Sequence, residues 1–127
     1  ARSAAVATPY LDEINRAERA FLQDSGFAVT VIQGRQCRTD AEIGRLTPDD
    51  AARLVAAVDS PDADVIFISC TNWHCVEAIP ALEVQHGKPV ISSNLAGAWA
   101  ALNRIGRSEP RPGFGSLMAG AAARAQA

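Results

Sequence analysis

Short apolar runs alternate with longer amphipathic stretches along this chain, and that alternation predicts its elements. Val65-Ile66-Phe67-Ile68 is a run of four apolar residues, β-branched or aromatic, behind the turn-like Asp59-Ser60-Pro61-Asp62. Such a run reads as a strand covered on both faces, as in parallel sheets, and predicts a central position. Ser3 to Thr8, Phe27 to Ile32 and Lys88 to Ser93 read as three further strands. Between the first two, Leu11, Ile14, Ala17, Phe21 and Leu22 fall on one side of a predicted helix, with Asp12, Glu13, Arg16, Glu18 and Arg19 mostly opposite. Pro9 suits its first turn and Gly26 its stop.

Thr47-Pro48-Asp49-Asp50 is a helix start: a capping hydroxyl, a proline at the first position and two acids at the positive end of the dipole. Ala51, Leu54, Val55 and Val58 form the buried stripe that follows. Pro80 opens or kinks a helix ending near Gly87, and Leu95 to Ile105 gives another, stopped by Gly106. Gln33 to Leu46, polar and carrying Gly34 and Gly44, has no period and reads as a loop beyond a strand's carboxyl end. Four strands alternating with helices predict an α/β fold with one four-stranded parallel sheet and right-handed crossovers. Residues 1–106 are expected to form a single domain. Residues 107–127 are expected to be a tail packing on it or on a partner, with an extended Pro110–Gly115, a short helix from Ser116 and frayed alanines.

Composition narrows the class. The 127 residues are 48% hydrophobic and 20% charged with a net charge of −2, ordinary for a globular domain and without the basic footprint that nucleic acid requires. No apolar run approaches the roughly 18 residues of a membrane span, so a cytoplasmic protein is expected. Cys37, Cys70 and Cys75 match neither a disulfide framework nor a zinc pattern, and no metal is predicted. The start at Ala1, directly before a strand, predicts a segment of a longer chain.

Cys70 follows the central strand within Ser69-Cys70-Thr71-Asn72, so it emerges where ligands bind in open α/β sheets. A thiol at a strand end and near a helix N-terminus is biased toward thiolate, whereas the alternative role is a small buried hydrophobe. His74, four residues on, could activate it only if Cys70 lay within the helix. Tyr10, the sole tyrosine, follows the first strand and could donate to an oxyanion there, or be a half-buried ring. Asp40 could meet a substrate amine or hydroxyl, or face solvent.

Thr8-Pro9-Tyr10, Asp40 with Ile43-Gly44-Arg45, Ser69-Cys70-Thr71-Asn72, Gly87-Lys88-Pro89-Val90, Ser92-Ser93-Asn94 and Gly113-Phe114-Gly115 occur in this order. In that set the chain resembles the aspartate/glutamate racemase superfamily, nearest to maleate cis-trans isomerases and their arylmalonate decarboxylase and ectoine-utilisation relatives. The resemblance covers only the second half of such proteins, which pair two flavodoxin-like, three-layer domains around one site. It implies a cofactor-independent isomerase or racemase acting on a small dicarboxylate, or alternatively a decarboxylase. Cys70 would be the catalytic thiol, with Tyr10, the Thr71 amide, Asp40 and Asn72 around the substrate. Asp40 stands where maleate isomerases tend to carry asparagine, and an unpaired aspartate would repel a dicarboxylate. The implied partners are the missing half and, in a homo-oligomer, a second copy. An isolated second half would be inactive and self-associating.

Overall fold

The computed structural model describes residues 2–120. Four strands, β1 (Ser3–Thr8), β2 (Ala28–Gly34), β3 (Val65–Ile68) and β4 (Val90–Ser92), form one parallel sheet in the order β2-β1-β3-β4. β1 and β3 are therefore the interior strands, which is why both are continuous apolar runs. The chain leaves β1 toward β2 on one side and resumes at β3 on the other. This reversal opens a crevice beyond the carboxyl ends of β1 and β3.

The helices are α1 (Asp12–Asp24), α2 (Asp40–Gly44), α3 (Pro48–Val58), α4 (Ile79–His86), α5 (Ser93–Arg104) and α6 (Ser116–Ala119). A full capping box starts α3, with Thr47 Oγ1 accepting from the Asp50 amide and the Asp50 carboxylate accepting from the Thr47 amide. Its predicted stripe, Ala51, Leu54, Val55 and Val58, is buried against Ala5, Ala7, Ile66 and Ile68. The same core takes in Ile79 and Leu82 of α4, Leu95 of α5 and Met118 of α6. Glu83 fastens the tail: its carboxylate accepts from the Val90 amide and from the amide and hydroxyl of Ser116. The predicted alanine-rich end from residue 121 lies outside the described residues.

Several expectations are corrected. The opposite sheet face carries a smaller cluster of Ala4, Val6, Val29 and Val65, and Leu22 of α1 is its sole helical member among the described residues. α1 is rotated from its predicted setting: Ile14 and Phe21 are 44% and 68% exposed and Ala17 is exposed, while Asn15 is buried. Residues Leu11, Asn15, Glu18 and Leu22, also at helical spacing, face the sheet instead. The expected loop from Gln33 to Leu46 contains the end of β2 and the short α2, capped by Thr39, whose hydroxyl accepts from the Glu42 amide. The strand β2 begins at Ala28, leaving Phe27 40% exposed. No helix among the described residues is long and apolar enough to cross a membrane.

Candidate active site

Two residues after β3, the backbone turns through Cys70 at φ +121°, a region that side-chain-bearing residues rarely adopt. The turn is pinned on both sides. The Cys70 amide donates to Ser93 Oγ at 3.0 Å, and Asn94 Nδ2 donates to the Thr71 carbonyl at 3.0 Å, both from the start of α5. From the other side, Asn72 Nδ2 donates to the Asp40 carbonyl at 3.0 Å. These ties hold the thiol at the rim, partly exposed, with its sulfur accepting from the Asn72 amide at 3.4 Å.

The thiol's setting differs from the expected helix N-terminus. Residues 71–75 form an irregular turn after Cys70, and the next element is a single 3-10 turn, Val76–Ala78, ahead of α4. Individual amides, and not the dipole of the following helix, act on the sulfur. His74 does not serve Cys70 either; its Nε2 meets Glu77 Oε1 at 2.8 Å in solvent. Trp73 is buried beneath the turn and its indole N–H donates to the Thr47 carbonyl. Cys75 is buried as well, and burial pushes its thiol up to about 11, which leaves it inert beside Cys70.

Tyr10 reaches the same rim from β1. Its backbone is fixed by a buried relay in which the Tyr10 amide donates to Thr8 Oγ1 and the Thr8 hydroxyl donates to Asn15 Oδ1 at 2.6 Å. Gly34 at the end of β2 leaves room for this loop, since a methyl there would collide with the Tyr10 carbonyl oxygen and lie 2.6 Å from Asn15 Nδ2. The phenol lies against Cys70 and Ser69. Burial first, then the hydrogen bond and charge of Cys70, push it up to about 12, with the Ser69 hydroxyl pulling the other way. Tyr10 thus remains a neutral donor across the physiological range.

The structure gathers Cys70, Tyr10, Thr71 and Asn72 at one edge. Thr71 is exposed, and its amide donates to no group among the described residues. Asp40 enters through its backbone, as the acceptor that orients Asn72. Sequence reasoning missed Asn15 and Glu18, whose signal was their shared spacing with Leu11 and Leu22. It also missed Gly34, whose need is visible only once β2 lies beside β1.

A parallel sheet of order 2-1-3-4 with a partly exposed cysteine and a phenol at its switch point defines a flavodoxin-like domain with a thiol-bearing rim. The chain belongs to the arylmalonate decarboxylase family, whose model matches residues 1–118. It is similar to an arylmalonate decarboxylase of Bordetella bronchiseptica, 36% identical over 124 residues that cover 91% of this chain and 50% of that protein. A maleate isomerase of Pseudomonas putida strain KT2440 is 26% identical, with 95% of this chain and 49% of that protein covered. The crystal structure of a cysteine-to-alanine variant of maleate isomerase from Pseudomonas putida S16 with maleate superposes with a TM-score of 0.90 at 26% identity, over 94% of this chain and 48% of that one. The chain spans about half the length of the curated relatives it matches.

Proposed function

We propose that this chain is the second half of a two-domain, cofactor-independent enzyme in which Cys70 delivers a proton to the α-carbon of a small carboxylate substrate. The observation that carries the reading is the meeting of the Cys70 sulfur, the Asn72 amide and the Tyr10 phenol beyond β1 and β3. Chemistry next to a carboxylate passes charge onto its oxygens as an enediolate. The Tyr10 hydroxyl and the Thr71 amide are the donors placed for that charge. In a decarboxylation the bond to CO2 breaks, its electron pair enters the enediolate, and the Cys70 S–H proton goes to carbon, leaving a thiolate that the Asn72 amide stabilises. In an isomerisation a thiolate from the other half adds to the alkene while Cys70 protonates the adjacent carbon; after rotation about the resulting single bond the Cys70 thiolate takes a proton back, the carbon–sulfur bond breaks and the trans alkene leaves. Both reactions use Cys70 in the same role. Asp40, through its carbonyl, holds the turn that presents it.

In the complete protein, Cys70→Ala is expected to lower kcat for maleate isomerisation or arylmalonate decarboxylation by roughly a hundredfold or more, the scale of a lost general acid. Unchanged turnover of every dicarboxylate tested would remove Cys70 from the chemistry. A second reading concerns the chain by itself, as a self-associating and inactive domain. It is favoured by the open apolar groove between Leu22, Phe27, Phe67 and Ile91 on the thinly covered sheet face.

A further inference from the structure

Helices α3 and α4 close one face of the sheet, whereas the other has α1 beside β1 and β2 and, over β3 and β4, an open groove of about 290 Å3. Phe67 and Ile91 line it from the strands, Leu22 and Phe27 from α1 and the turn after it, and Ala96 from the first turn of α5. None of the side chains lining it can form a hydrogen bond. Small-molecule sites are apolar but carry a few convergent polar groups that orient the ligand. A groove with none suits the apolar face of a helix, the element that covers both faces of a parallel sheet. The two ends of the groove differ. Ala96 follows β4 at the carboxyl end of the strands, and Ala4 and Val65, at the starts of β1 and β3, line the amino end. Beside that amino end the chain is tied down: the Arg2 and Ser3 amides donate to Asp64 Oδ2 at 2.9 and 3.3 Å, and Ser3 Oγ donates to the Asp62 carbonyl at 2.7 Å. Polypeptide leading into Arg2 therefore emerges at the mouth of the groove.

We propose that in the complete protein this groove is filled by a helix formed by the residues directly preceding the chain, so that the link from the first half becomes part of the core of the second. The inference rests on the reading of this chain as the second half of a longer protein, in keeping with relatives of which it spans about half. The four strands are parallel, and a helix that delivers the chain to their amino end runs antiparallel to them. β3 is four residues long, about 13 Å at a rise of about 3.3 Å each, the length of about two and a half helical turns. With a connection of about 2–6 residues, such a helix lies within about 20 residues of Arg2. Its apolar stripe, at i, i+3, i+4 and i+7, packs on Phe67 and Ile91. Its first turn stands at the carboxyl end of the strands, the edge that carries Cys70. The link thus brings the first half to the side on which the site opens.

Photo-cross-linking of the complete protein tests this without turnover. The photoreactive p-benzoylphenylalanine is installed at Phe27 in one preparation and at Ile91 in another. Phe27, 40% exposed, accommodates the larger ring and carries the test if the Ile91 replacement does not fold. After irradiation, denaturing gels separate cross-links within one chain from those between two, and peptide mass spectrometry locates them. The expected product has the mass of one chain, with the probe joined to the stretch of about 20 residues before Ala1. Cross-links between two chains would make a second copy the occupant. Cross-links to more distant parts of the first half would make its body the cover, and a probe that reacts with no polypeptide would leave the groove open. Each of these three results overturns the proposal. Should one of them be found while Cys70→Ala still abolishes turnover, the linking helix falls and the function of Cys70 stands. The expected cross-link in a protein whose Cys70→Ala variant keeps full activity would retain the helix and remove the chemistry.

Discussion

Cys70 occupies a backbone conformation at φ +121° that a side chain makes costly, about 1–3 kcal/mol for such outliers. The ties from Ser93, Asn94 and Asp40 maintain it, and the return is a sulfur displayed at the rim with an amide directed at it. Removing the thiol while keeping a Cβ should keep the strain; removing both should relieve it. Cys70→Gly is accordingly expected to be more stable than Cys70→Ala by about 1 kcal/mol, after glycine's larger unfolded-state entropy is subtracted. Chemical denaturation of the two variants checks this, and equal midpoints would show that the turn is unstrained. The neighbouring acids give a pH signature. Tyr10 is raised to about 12 from 10 and Cys75 to about 11 from 9, each chiefly by burial. The folded state therefore holds these protons more tightly than the unfolded chain, so their contribution is complete below pH 9. It is lost as pH rises, first through 9–11 for Cys75 and then through 10–12 for Tyr10. Thermal melts between pH 8 and 11 should show a falling Tm, and Cys75→Ala should flatten the slope above pH 9. An unchanged slope in that variant would place the alkaline loss elsewhere.

Among the elements, α1 separates what could be read from sequence from what could not. β3 and α3 were legible because their signals are local: four consecutive apolar residues in one, a capping hydroxyl with a proline and acids in the other. The existence of α1 was equally plain, but its rotation was not. Two stripes compete on it, Ile14 with Ala17 and Phe21 against Asn15 with Glu18 and Leu22, and hydrophobicity favours the one that the fold turns outward. The site was legible to the extent that Cys70 and Tyr10 end neighbouring strands; the polar groups behind them became visible only with the helix in place. The short α2, five residues closing on Gly44, has too little length for a period. The buried relay on α1 is open to a direct test. Asn15→Leu strands the Thr8 hydroxyl without its acceptor and is expected to cost about 1–3 kcal/mol despite the added apolar area. Combining it with Thr8→Val replaces both partners by apolar groups and should recover most of that loss, while the Tyr10 amide loses its acceptor and activity of the complete protein stays low. Urea unfolding followed by the fluorescence of buried Trp73 measures the first effect, and a double variant no more stable than Asn15→Leu would refute the pairing.

At the scale of the molecule, the two faces of the sheet are unequally covered. One carries α3, α4 and the core reaching to Met118; the other has Leu22 of α1 against β1 and β2 and leaves Phe67 and Ile91 of β3 and β4 lining an open apolar groove. Phe27, 40% exposed, lines it as well, and Ile14 and Phe21 are further exposed apolar residues on α1. Apolar surface left in water favours association at about 25 cal/mol per Å2 covered, and contiguous patches of this kind mark interaction surfaces. A second domain, such as the half of the relatives' length that this chain does not span, would be one cover; for the chain by itself the available cover is another copy. Sedimentation velocity on the isolated chain is therefore expected to give a weight-average coefficient that rises with concentration. Phe27→Asp, which sets a charge in the groove's lining without opening the core, should hold the same material as monomer. A parent chain that sediments as a single monomeric species at every concentration would mean that this face is stable in water uncovered, and the self-association reading would fail with the catalytic one untouched.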